Sequence, residues 1–176
     1  MDYLYFANQQ ANASGEECLY YVEKRHNDQL VLNLASALNI DYDKYNRGTF
    51  GVNLGTTKGM HYKTMGDLMG AEKYTDIDNF SISEFGTNSD YIQNDLDNPN
   101  RQIKEGDVFG YDYDINVNKA SLYYQHQFNK NIVNLFFGAN LDVTTMERYG
   151  NMRNGRAKDF SKGSSGTAFF LGGGAK

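Results

Sequence analysis

The clearest pattern along the chain is a strict alternation of apolar and polar positions. In QLVLNLASALNID, residues 29–41, Leu30, Leu32, Leu34, Leu38 and Ile40 fall on one side, and Asn33, Ala35, Ala37, Asn39 and Asp41 on the other. Side chains alternate across a strand with period 2, so this stretch predicts a long strand, which the preceding CLYYVEKR extends. DYDKYN then offers only turn-type residues before Phe50, Val52 and Leu54 alternate with Thr49, Gly51, Asn53 and Gly55, which predicts a hairpin. The alternation stops near Thr57 for some fifty residues, with short helical turns expected at 62–71 and 90–96. It resumes in VFGYDYDINVNKASLYYQHQF and, after a tight FNKNI turn, in IVNLFFGANLDVTTMER. In the last of these Val133, Leu135, Phe137, Ala139, Leu141 and Val143 share one side. Strands are expected near 18–40, 46–58, 108–128 and 132–148, and AFFLGGGAK reads as the opening of a further one. The phase changes near Lys119, and a bulge in 117–124 would explain it.

Composition supports an all-β, antiparallel up-and-down reading. Aromatics make up 14% of the 176 residues, with 14 Tyr, 11 Phe, 18 Gly and a single Pro, and these residue types favour pleated strands and tight turns. The 17 Lys and Arg against 22 Asp and Glu give a net charge of −5, which argues against nucleic acid as a partner. No apolar run approaches the roughly 20 residues of a membrane-spanning helix, but barrel strands need only about 10 with every second one apolar. The N-terminal MDYLYFANQQANAS lacks the basic and apolar segments of a signal peptide, and the apparent start and stop inside secondary structure fit a fragment.

Candidate chemistry is sparse. Asp112, Asp114, Asn116 and Asn118 open like a calcium loop, but the sixth position is Val117 instead of Gly and the twelfth is Tyr123 instead of Glu. They fit one face of a strand better. His26, His61 and His126 have no metal-ligand spacing, and Cys18 alone supplies neither a disulfide nor a zinc site. Neither a G-x-S-x-G elbow nor a complete phosphate loop is present. No catalytic residue, metal or cofactor is therefore expected. The basic residues Arg148, Arg153, Arg156, Lys158 and Lys162 fall in one expected loop, where they could meet an anion or simply face water.

The segment YIQNDLDNPNRQIKEGDVFGYDYDINVNKASLYYQ, with ERYGNMRNGRAKDFSKGSS after the next strand, resembles the barrel region of TonB-dependent outer-membrane receptors. The likeness is to the large type with an N-terminal carboxypeptidase-like regulatory domain. What the resemblance implies is that residues 1–176 are a partial segment, about six strands, of a large outer-membrane β-barrel with long external loops at 58–107 and 149–166, the plug domain being absent. It implies import of a scarce nutrient such as a metal chelate, a vitamin or a glycan. It also implies a place in the outer membrane of a Gram-negative bacterium, with outer-membrane lipid and, through the missing plug region, the TonB complex as partners. In that setting Asn33, Asn39, Asn53, Asp112, Asp114, Asn116, Asn118, Asn134, Asn140 and Asp142 are candidates to face a polar lumen. Tyr62, Tyr74, Tyr91, Arg153 and Arg156 are candidates for ligand contact in the external loops. The alternative is a soluble, secreted β-rich glycan-binding module or adhesin, in which Leu30, Leu32, Leu34 and Phe137 would face a protein core.

Overall fold

The computed structural model describes residues 2–153. Helix α1 (Asp2–Ser14) is followed by strands β1 (Val22–Asp41) and β2 (Asn46–Asp67), the four-residue helix α2 (Ile82–Phe85), and strands β3 (Val108–Lys130) and β4 (Val133–Gly150). A single 3-10 turn, Asp90–Ile92, precedes β3. The strands form one antiparallel sheet in the order β1-β2-β3-β4.

That order corrects the barrel expectation. Among the described residues β1 and β4 each pair with one neighbour only, so the sheet is open, with four described strands; the further strand expected at AFFLGGGAK lies outside the described residues. The chain is also not all-β, because α1 and α2 are helical. Apolar alternation specifies a strand and its two faces, but it carries no information on what the outermost strands pair with. The expected helical turn at 62–71 is instead the end of β2, which runs to Asp67. Position 110 carries the irregularity in β3: Gly110 has φ +75°, a conformation that favours glycine. No bulge occurs between 117 and 124, since Thr56 pairs with Asn118 and Gly51 lies against Tyr123, the same step on both strands. The apparent change of phase is a change in the character of one face, from carboxylates and amides to Leu122 and Tyr124.

The chain divides into two compact units, and each strand contributes to both. The first takes residues up to 29, 59–115 and 148 to the end of the described chain, and the second takes 30–58 and 116–147.

The first unit has a true core of Met65, Leu68, Tyr74, Ile103 and Phe109, with Cys18, Tyr21 and Ala71 packed against it. Tyr21, Tyr74 and Phe109 meet edge to face with centroids 4.7 to 5.8 Å apart, the arrangement aromatic quadrupoles prefer. Burial, with the neighbouring Tyr21 hydroxyl, pushes the Tyr74 phenol far above its usual range. Helix α1 is fastened by Tyr5, Asn8 and Asn12, with Asn8 at the centre: Tyr5 donates to Asp67, and Asn12 donates to the Gly70 carbonyl and accepts from the Glu72 amide. The buried Asn8 amide donates to the carbonyls of Tyr20, Leu68 and Met69 at 2.7, 3.0 and 3.1 Å, and its oxygen accepts from the amides of Leu19 and Tyr20. These bonds satisfy backbone groups where the chain enters β1 and where it leaves β2.

The second unit is a sheet with one apolar and one polar face. Leu30, Leu32, Leu34, Leu38, Phe50, Leu54, Leu122, Leu135, Phe137 and Leu141 all remain exposed, Leu32 at 68%. Ring contacts from Phe50 to Tyr124 and from Tyr124 to Phe137 place β2, β3 and β4 residues of this set on one side. No described residue covers them.

Candidate functional site

The most exposed aromatic group in the first unit lies on the connection between β2 and β3. Phe80 is 94% exposed, Tyr91 65%, and Phe85 is exposed as well. The Phe85 and Tyr91 rings lie against each other, centroids 4.9 Å apart and planes tilted by 31°. The segment FSISEFGTNSDYI explains their display. Isolated aromatics stand among Ser, Asn, Asp and Gly, which bend the backbone and bond to it locally.

The loop is held from below by side-chain hydrogen bonds. Asp78 accepts from the Phe80 amide at 3.0 Å and from the Ser81 hydroxyl at 2.7 Å, while its own amide donates to the Ile92 carbonyl at 2.7 Å. Ser83 donates to the Phe80 carbonyl, Gly86 closes α2 by donating to the Ile82 carbonyl, and the Ser89 hydroxyl accepts from the Tyr91 amide. Ile92 is fully buried and pins the end of the segment. An isolated antiparallel bridge joins Ile77 and Gln93 across its base.

Below this bridge a second polar network stiffens the base. Buried Asp76 accepts from the Asn94 side chain and the Gly110 amide, both at 2.9 Å, and from the Arg101 guanidinium at 3.0 Å; that guanidinium also donates to the Val108 carbonyl. Gln93 and Asn100 bond reciprocally, with the Asn100 amide donating to the Gln93 oxygen and the Gln93 nitrogen donating to the Asn100 oxygen. Asp95 accepts from the Asn98 side chain and from the amides of Asp97 and Arg153. Burial raises the Asp95 carboxyl, but these bonds outweigh it and hold the group below the usual carboxylate range.

The expected site residues are dispersed. Tyr91 is displayed outward in the aromatic group. Tyr62 stacks on His26 with planes 3° apart and donates to Asp28 at 3.3 Å, and Tyr74 lies in the core. Arg153 pairs with Asp97 at 3.0 Å and donates to the Leu96 carbonyl, so it ties the chain to the QNDLDNPNR loop. Arg156 lies outside the described residues.

Of the polar strand candidates in the second unit, Asn39 bonds Thr49, Asn33 lies against Gly55, and Asp142 accepts from Ser121 and Asn140. Strand alternation puts Asn53 and Asn134 on this same face. Asn118, bonded to Thr56, is on the opposite face with Leu122, and alternation places Asn116 there too. In the first unit Asp112 accepts from the Asn151 side chain, and Asp114 is also engaged. Among the described residues no three His, Cys, Asp or Glu side chains are arranged to hold a metal. Sequence reading missed Phe80 and Phe85; the available signal was a pair of lone phenylalanines in a turn-rich segment without periodicity.

No protein-family model matches the chain, and no curated protein or solved structure matches it. This result and the open sheet overturn the TonB-dependent receptor resemblance, and with it the nutrient-import function. The outer-membrane location and the lipid and TonB-complex partners rested on that resemblance and fall with it. Among the described residues no helix is long and apolar enough to cross a membrane. The residues that carried the likeness have local work to do: QNDLDNPNR is the network around Gln93, Asp95 and Asn100, and YDYDINVN is the middle of β3.

Proposed function

We propose that this chain is a β-rich binding module that captures glycans, without turning them over, on the loop carrying Phe80, Phe85 and Tyr91. The observation that carries this reading is Phe80, 94% exposed on a loop held by side-chain and backbone hydrogen bonds from Asp78, Ser81, Ser83, Gly86 and Ser89. Leaving a phenylalanine in water forgoes about 1.5–3 kcal/mol of burial. Phe85 and Tyr91 lie ring against ring on the same braced loop, and exposed apolar groups of this kind mark binding surfaces. Sugar rings present C–H faces that stack on aromatic planes, and a loop already ordered loses little entropy on capture. The hydroxyls of such a ligand need acceptors, which Glu84, Asp90 and Asn88 supply from the same segment.

Titration of a panel of neutral oligosaccharides by calorimetry tests the reading. Binding by the wild-type chain is expected, with Phe80→Ala and Tyr91→Ala each weakening it about 10-fold or more at unchanged thermal stability. Absence of binding across the panel, or unaltered affinity in both variants, overturns it.

A further inference from the structure

The ten exposed apolar residues of the second unit form a surface too large to be incidental. Each is about half exposed or more, so together they leave on the order of 1000 Å² of apolar surface in water, where monomeric proteins seldom expose patches above a few hundred. We propose that this face is the interface between two copies of the chain, packed face to face across a two-fold axis.

The size and chemistry of the face select this occupant. A standard stable interface takes about 800 Å² from each partner, which one face supplies. The ten side chains are aliphatic or aromatic, so nothing charged among them demands a complementary charge. Several polar groups beside them already bond one another within the protomer. Thr56 donates to Asn118 at 2.8 Å, and His126 bonds Tyr124 at 2.9 Å and Asn46 at 3.1 Å. A surface of this kind matches another like itself, and a two-fold axis sets the same patch against its copy. Two twisted sheets pack face to face at about 10 Å with interdigitating side chains, the arrangement of a β-sandwich. The pairing also gives Leu30, Leu32, Leu34 and Phe137 the protein core that a β-rich module requires. It stands independently of what the aromatic loop binds.

Light scattering coupled to size exclusion, run on the full chain from 1 to 100 μM, tests the proposal, with Leu34→Lys on the face and Ala35→Lys on the opposite face as variants. The wild type and Ala35→Lys are expected at twice the protomer mass, and Leu34→Lys should dissociate at least about 30-fold more readily. Circular dichroism checks that Leu34→Lys keeps its sheet. Should that variant unfold, the mass of the wild type and of Ala35→Lys still decides the matter. A monomer at 100 μM, assemblies of no fixed mass, or a monomer that partitions onto phosphatidylcholine vesicles overturns the proposal.

Discussion

The two units are built from the same four strands and differ in what they do with their apolar residues. In the first, a loop of some forty residues and a helix fold back onto the strand ends, and Phe109, Met65 and Ile103 lose nearly all contact with water. In the second, no described residue is laid over the strands, and Leu30, Leu32 and Leu34 stay exposed although their alternation is more regular. Burial follows from what the connections bring to a face. Regular patterning prepares the face but does not cover it.

The largest expected effect separates the units directly. Phe109→Ala should cost about 3–5 kcal/mol in denaturant unfolding, because the aromatic cluster cannot close around the cavity. Leu34→Ala, measured at concentrations where the protomer is monomeric, should stay within about 0.5 kcal/mol. Equal losses would show that Leu34 is packed within the protomer and would break the comparison.

Next comes Asn8→Ala, which strands carbonyls and amides that now share one buried amide. A loss of about 1–3 kcal/mol is expected, with α1 detaching first, visible as faster hydrogen exchange at residues 3–12. Gly110→Ala should follow at about 1–2 kcal/mol, since its backbone occupies the left-handed region and a Cβ there would meet the Lys63 side chain. Ordinary stability in this variant would show that β3 can straighten at that point.

The smallest effect is titration of Asp95. Its folded carboxyl sits below the unfolded value near about 3.9, so its contribution is complete above that pH and is lost as pH falls through the lower, folded value. Unfolding followed by circular dichroism at pH 6 and pH 3 should show a drop that Asp95→Asn reduces. An identical pH dependence in the variant would place the acid-sensitive group elsewhere.

These residues also show what the sequence could tell. The strands were legible because side-chain period is a local property: β1, the β1–β2 hairpin and the β3–β4 turn lie within a few residues of where alternation puts them. Helix α1 was not, because its buried residues are Asn8 and Ala11, and a polar anchor beside a small alanine leaves only a weak apolar stripe to read. The course of β3 was partly legible; its constant step beside β2 was hidden by the change from Asp114 and Asn116 to Leu122 on one face. Sheet closure is a property of edges, which no periodicity encodes, so the resemblance to a receptor barrel had no support from what β1 and β4 pair with. For the site, Tyr91 was visible as a lone aromatic in a polar loop, and Phe80 and Phe85 carried the same signal unnoticed. Tyr74 has the same local sequence character but is drawn into the core by contacts with Tyr21 and Phe109, distant in sequence.

Hydrogen exchange of the full chain with and without saturating oligosaccharide tests the central claim most directly. The account predicts slowed exchange across residues 78–93 and none along 30–41 or 133–141. Slowed exchange on the polar strand positions around Asn33, Asn39, Asn53, Asn140 and Asp142, with 78–93 unchanged, would contradict it.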